Sequence, residues 1–291
     1  MCLNRSILSL LLMFASFLSV EAGNKHALVI GIGQYKDSRW EVIHGDTDVD
    51  YAVTLLQANG FNDIKTLKNQ QATKQAIIDE FKSLERRCAE GDKVYIHFSG
   101  HGQQITDLDG DEDDGWDEAW IPYDAQPVFS ASYKGENHLV DDEVNEMLSS
   151  IRTKIGSSGR ILVVLDACHS ETAARGESDD IARGFDEKFV IEGVEPANRR
   201  PAPAPEQWIT ISACLSYQIN WEIRNPAPGH TGYFGKLTWC MYDLRNRLGR
   251  LDNDSLRSEV VQIMKRHPGV FEQTPSFTGC LGKESIKEVF N

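Results

Sequence analysis

Two short segments of this chain end in residues capable of covalent chemistry. Residues 93–98 (KVYIHF) run into Ser99-Gly100-His101-Gly102, and residues 160–165 (RILVVL) run into Asp166-Ala167-Cys168-His169-Ser170. Each apolar run reads as a buried strand delivering a polar residue into a loop. A cysteine attacks only as its thiolate, and an imidazole is the usual base that generates one. Neighbouring parallel strands lie about 4.8 Å apart, which would bring His101 and Cys168 together. The glycines flanking His101 let a substrate backbone come close. The amides of Gly102 and Cys168 could form an oxyanion hole. The plainer alternative is a buried inert thiol and a surface histidine. His169 is a competing base, but a residue adjacent to the nucleophile at a strand end tends to point away from it.

Acids lie beside both segments. Asp166, two residues before Cys168, shares its side of the strand. An acidic pocket there would suit a cationic side chain, and paired carboxylate–guanidinium bonds would favour arginine. Residues 106–118 hold eight acids in thirteen positions. Such density repels itself unless it is solvated or neutralised by a cation, and both readings stand. Asp109, Asp111 and Asp113 imitate the start of an EF-hand. However, Asp114 replaces its glycine and Trp120 its final glutamate, so that loop is not expected.

The elements that must position these residues alternate along the chain. Residues 26–32 (HALVIGI) form a third buried strand, and 207–213 (QWITISA) a fourth. Helical spacing of apolar residues covers 48–59, 73–88, 141–155, about 233–248 and 255–267. Strands alternating with helices imply an α/β fold with a mostly parallel sheet covered on both faces. In such sheets functional residues gather at the C-terminal strand ends, which is where His101 and Cys168 fall. Residues 171–206 shift to charge, Gly, Ala and Pro and end in RRPAPAP. This reads as an extended linker or processing loop.

The chain has 291 residues, 41% hydrophobic and 25% charged, enough for a substantial core. Its formal net charge of −14 excludes non-specific nucleic-acid binding, which needs a Lys/Arg surplus. Residues 1–22 have the pattern of a signal peptide: Arg5, an apolar stretch and the small-residue site Val20-Glu21-Ala22. Export is expected, with no stable membrane insertion once the segment is removed. Cleavage would leave five cysteines, at 88, 168, 214, 240 and 280. At least one must then stay unpaired, and no CxxC spacing suggests zinc. Gly31-Ile32-Gly33 lacks the third glycine of a dinucleotide loop, and there is no phosphate-binding P-loop or GxSxG.

HFSGHG and LDACHS resemble the two catalytic blocks of the metacaspases, caspase-like cysteine peptidases. The acidic stretch LDGDEDDGWDEAWIPYD, the segments LVDDE and HGDTD, and QTP at 273–275 are also similar to metacaspase blocks. The resemblance spans residues 25–279. It implies a caspase-hemoglobinase fold, a mainly parallel six-stranded sheet between helices. It implies a His101–Cys168 dyad cutting after Arg or Lys, with Asp48, Ser99 and Asp166 in the P1 pocket, and a monomeric enzyme. It further implies calcium activation, with Asp117, Asp141 and Asp142 as the matching ligands. The family's remaining ligand falls on Arg175, a departure that bears on calcium dependence.

The expected organisation is then a signal segment (1–22), a large-subunit-like part (23–170), a linker (171–206) and a small-subunit-like part (207–291). The linker region offers Arg175, Arg183, Lys188, Arg199 and Arg200, the residues such an enzyme would cut in itself. Two other readings remain. One is a catalytically silent calcium-binding interaction module on the same scaffold. The other is a legumain- or gingipain-type relative.

Overall fold

The structure is a computed structural model that describes residues 23–110, 112, 114–168, 181–185, 187–194, 207–267 and 272–291. The signal segment therefore lies outside the described residues, as do Arg175, Arg199, Arg200, Asp111 and Asp113.

Six strands build the central sheet. β1 (Lys25–Gly31), β2 (Asp63–Lys68), β3 (Lys93–Ser99), β7 (Arg160–Asp166), β8 (Ile209–Ser212) and β11 (Ser276–Gly279) lie in the order β11-β8-β7-β3-β1-β2. Five run parallel, and β11 closes one edge antiparallel to β8. The mostly parallel α/β sheet expected from the strand–helix alternation is therefore present, with the six strands that the family resemblance implies. β1, β3 and β7 are buried on both faces, the reason their sequences read as unbroken apolar runs.

Alternate residues of β1 feed two cores. Ala27 and Val29 face a layer with Leu237, Val260 and Ile263, contributed by α4 (Lys236–Asp243) and α5 (Asn253–Arg266). α1 (Gly45–Ala58) adds Val49 and Leu56 to that layer. Leu28 and Ile30 face Phe81 and Leu84 of α2 (Lys74–Arg87) and Leu148 and Ile151 of α3 (Asp141–Ile155). Truncating a ring such as Phe81 to alanine would cost about 3–5 kcal/mol, because the cavity collapses only partly. Local signals set the helix starts: Thr73 Oγ1 accepts from Ala76 N at 3.3 Å, and Asp252 accepts from Ser255 N at 2.8 Å.

Smaller strands stand at the C-terminal rim. β4 (Gly102–Thr106), β5 (Trp116–Trp120) and β6 (Leu139–Val140) form an antiparallel sheet, and β9 (Glu222–Arg224) pairs with β10 (Tyr233–Gly235). The helix expected over 233–248 accordingly begins later, because Tyr233–Gly235 is spent on β10. Chain order reverses between β1 and β3, so the crevice of this open sheet falls where α1 follows β1 and His101 follows β3.

Candidate active site

Strand register places the sequence-derived residues. Ser99 is directly opposite Asp166 in the β3–β7 pair. Two residues further on, His101 and Cys168 leave these adjacent strands, and both are fully buried. Gly102 opens β4 opposite Trp120.

The imidazole is held on three sides. His101 N donates to Tyr35 Oη at 2.7 Å, and the rings of Tyr35 and Trp40 pack against it at 5.1 and 5.3 Å. Nε2 lies 2.8 Å from the Glu41 carbonyl. A carbonyl can only accept, so Nε2 carries the proton. Nδ1 is buried with no formed hydrogen bond and keeps its lone pair. Burial lowers His101 to about 4, against a smaller raising effect of the Glu41 carbonyl. The ring is a neutral base at neutral pH. Cys168 Sγ donates to the Gln218 carbonyl at 3.1 Å.

Asp48, Ser99 and Asp166 converge on one buried pocket, and Arg183 is inside it. Arg183, expected on an extended linker open to cutting, instead has no exposure at all. Arg183 Nη2 is 2.8 Å from Asp48, and Nη1 is 2.5 Å from Ser99 Oγ and 3.5 Å from Asp166. The best partner is a residue the sequence reading missed. Glu222 accepts from both Nε (3.1 Å) and Nη2 (2.8 Å) of Arg183, and also from His44 Nδ1 at 2.6 Å. The one available signal was an acid set between Trp221 and Ile223 in a short apolar stretch. Asp166 acts mostly as a brace, accepting from Asn220 Nδ2, Thr238 N and Thr238 Oγ1, each at 2.7 Å.

The acids differ electrostatically. Burial raises Asp48 to about 6, opposed by Arg183 and reinforced by Asp166. Burial would raise Glu222 too, but Arg183 and His44 bring it below its ordinary value. The bond to Glu222 in turn raises His44. Gly235 forms the pocket floor, and a Cβ there would come within 2.3 Å of Asp166, 2.5 Å of Asp48 and 2.6 Å of Arg183. Only a hydrogen fits.

Arg183 arrives as part of an extended segment. Arg183 N donates to Asn220 O at 2.9 Å, Glu222 N donates to Ile181 O at 2.8 Å, and Ala182 pairs antiparallel with Trp221. This is strand addition, the mode by which many clefts hold peptides. The following Gly184 packs on Cys168: a Cβ built there would lie 3.6 Å from Sγ. Its backbone also lies close enough to His101 to favour the protonated ring. Beyond it, Phe189 N donates to Gln104 O at 2.7 Å and Thr106 N to Phe189 O at 3.0 Å, tying the segment to β4. Lys188 lies over the Trp116 ring at 4.3 Å. Residues 181–184 are thus bound against the site, and Phe189 is tied to β4.

Residues 25–175, just over half the chain, match the model of the metacaspase peptidase C14 domain. The chain belongs to the metacaspases. Metacaspase-1 of Botryotinia fuckeliana is 33% identical over 225 residues, covering 74% of this chain and 48% of the relative. Metacaspase-1 of Sclerotinia sclerotiorum is also 33% identical, with 46% of its length covered. This metacaspase thus spans about half the length of the curated relatives it matches. Among solved structures, GSU0716 of Geobacter sulfurreducens superposes with a TM-score of 0.61 at 21% identity, over 88% of this chain and 93% of that one. Caspase-1 of Spodoptera frugiperda gives 0.56 at 11% identity, over 88% and 86%. At such identities the likeness is one of fold, and it is the caspase fold.

The acids proposed from the resemblance as calcium ligands sit on β5 and at the start of α3, but only Asp141 of the three joins a close cluster: its oxygens lie within 4.8 Å of those of Glu112 and Glu118, a group that does not include Asp117 or Asp142. Burial first, then neighbouring acids, raises Asp117 to about 8 and both Glu118 and Asp141 to about 7, and raises Asp142 as well. An all-oxygen set under mutual repulsion fits a hard cation.

Proposed function

We propose that this chain is a cysteine endopeptidase that cuts after arginine and that its first substrate is its own Arg183–Gly184 bond. The observation carrying this reading is Arg183 itself, seated by a two-pronged bond to Glu222 and a further bond to Asp48 while the next residue lies against Cys168. The backbone pairing of Ala182 with Trp221 holds the segment as a peptide substrate would be held.

In this mechanism His101 Nδ1 takes the Cys168 thiol proton as Sγ attacks the Arg183 carbonyl carbon. The oxyanion is received by the amides of Gly102 and Cys168. The proton passes from His101 to the Gly184 nitrogen as the peptide bond breaks, leaving a thioester on Cys168. Water then attacks the thioester with His101 as base and frees the thiol. Lysine carries the charge but lacks the fork that meets Glu222, so it is the poorer P1 residue. Aspartate is repelled by the three pocket acids.

Calcium belongs to the same proposal. Glu112, Glu118 and Asp141 would hold it with support from Asp117 and Asp142, and the charge it supplies would relieve their repulsion. Export through residues 1–22 and action as a monomer complete the reading, and Arg175, Lys188, Arg199 and Arg200 are secondary cutting points.

The test uses the full chain and its Cys168→Ala variant. Intact-mass analysis should find fragments ending at Arg183 in the first and an uncut chain in the second. Fluorogenic peptides should be cut in the order Arg, Lys, then Asp, with a response to added calcium. Preferred cleavage after Asp, or hydrolysis that survives Cys168→Ala, would overturn the reading.

A further inference from the structure

A second thiol lies against the proposed nucleophile. Cys168 follows β7 and Cys214 follows β8, neighbours in the sheet with Leu165 opposite Ser212. Both sulfurs point at one acceptor: Cys168 Sγ donates to Gln218 O at 3.1 Å and Cys214 Sγ donates to the same oxygen at 3.3 Å. The neighbouring Cys168, together with burial, raises the Cys214 thiol well above its ordinary value.

The surrounding geometry suits a covalent bond. β7 and β8 end at Asp166 and Ser212, so both cysteines lie on the loops beyond the paired register, where the shared Gln218 oxygen brings the two sulfurs to one point. The turn carrying Gln218 is pinned by Gln218 N to Leu215 O (2.9 Å) and by Thr274 N to Gln218 Oε1 (2.8 Å). All five cysteines at 88, 168, 214, 240 and 280 are reduced in the structure. Of these, Cys214 is the one that shares the Gln218 acceptor with Cys168.

We propose that Cys214 is a resolving cysteine that lets a peroxide switch this peptidase off reversibly. The idea rests on Cys168 being the nucleophile. The Cys168 thiolate attacks one oxygen of hydrogen peroxide, giving a sulfenic acid and hydroxide. The Cys214 thiol then displaces hydroxide from that sulfur, a Cys168–Cys214 disulfide forms, and water leaves. Over both steps two thiols lose two electrons and two protons, and one peroxide becomes two waters. A dithiol reductant reverses the bond by exchange. In the intact chain Gly184 covers Cys168, so the switch acts once residues 181–184 have left the cleft. Rapid condensation also protects Cys168 from irreversible oxidation to the sulfinic acid.

The test treats the active full-chain enzyme and its Cys214→Ser variant with hydrogen peroxide, then with dithiothreitol. Two readouts run in parallel: hydrolysis of an Arg-ended peptide, and non-reducing peptide mapping by mass spectrometry. Wild type should lose activity as the Cys168–Cys214 cross-linked peptide appears, and regain most of it on reduction. The variant should recover several-fold less, with Cys168 carried on to the sulfinic acid. Peroxide that oxidises Cys168 in wild type without producing the cross-link overturns the proposal, as does equal recovery in the variant. The map reads the cross-link without any turnover. Failure of the peptidase reading would show separately, as untreated enzyme with no Cys168-dependent hydrolysis. If Cys214→Ser does not fold, the wild-type map alone decides.

Discussion

Arg183 and Asp48 stand 2.8 Å apart, and neither has any contact with solvent. A buried ion pair of this kind is costly to assemble, since both charges leave water. It is sustained because Ser99, Gly235 and Glu222 satisfy the remaining donors and acceptors. On the proposed reading, this pocket of three carboxylates is a receptor for a guanidinium, with the chain's own segment as its first ligand.

Glu222→Gln should reduce discrimination between Arg and Lys. It keeps the shape but weakens two charge-assisted bonds, each worth about 1.5–3 kcal/mol, so kcat/KM for Arg peptides should fall roughly 10- to 100-fold. Lys peptides, which make no two-pronged bond, should lose much less. Parallel kinetics on matched Arg and Lys substrates check this, and an unchanged ratio would count against Glu222 as the arginine reader.

Gly235→Ala should close the pocket while leaving the fold intact. The backbone at Gly235 has φ −60°, which any residue adopts, so the conflict is one of space alone. The added methyl would collide with Asp48 and Asp166. Arg-peptide hydrolysis should drop to background while Cys168 is still alkylated by iodoacetamide and a cooperative melting transition remains, at a lowered temperature. Persistent cleavage after Arg would place the P1 site elsewhere.

The acidic cluster should make calcium stabilisation depend on pH. Asp117, Glu118 and Asp141 are raised to about 8, 7 and 7, above their ordinary values near 4. The folded state therefore binds more protons than the unfolded one between about pH 4 and 8. Their favourable contribution is full below pH 4 and is lost as pH rises through 7 to 8. Calcium needs the charged forms, so the rise in melting temperature on adding calcium should be larger at pH 8 than at pH 6. Thermal scans with calcium or a chelator at both pH values test this, and an equal shift would argue against these acids as ligands.

His101 should keep self-cleavage running in mild acid. Burial holds its pKa near 4, below the ordinary value of about 6.5. The rate of Arg183–Gly184 scission should stay level from pH 7 to 5 and fall toward pH 4. The depressed folded pKa also means that its stabilising contribution is present above about 6.5 and declines as pH falls through about 4. Trp40→Ala removes the stacked ring, admits water and should move the acid limb upward. A limb that stays put in Trp40→Ala would assign it to another group.

Much of the scaffold was legible. α3 begins and ends where the apolar spacing and flanking acids place it, and β1, β3 and β7 match their apolar runs within a residue. β2 was not legible: DIKTLK has no apolar run and becomes a strand because β1 templates it in register. β4, β5 and β6 were hidden in a segment that reads as an acidic loop. Their pairing depends on β5 alternating faces, with Ala119 buried and Glu118 turned toward Asp141.

By itself, the sequence determined the strands β1, β3 and β7, the two strand ends and the side chains delivered there, because burial on both faces writes itself into contiguous residues. Only the tertiary structure decided what fills the pocket. Asp48 meets Gly235 across 187 residues, His44 meets Glu222 across 178, and Arg183 meets Glu222 across 39. No local pattern encodes such meetings. They follow from strand order and register, which bring six separate segments to one end of the sheet and turn an apparently spare arginine into the residue that fills the pocket.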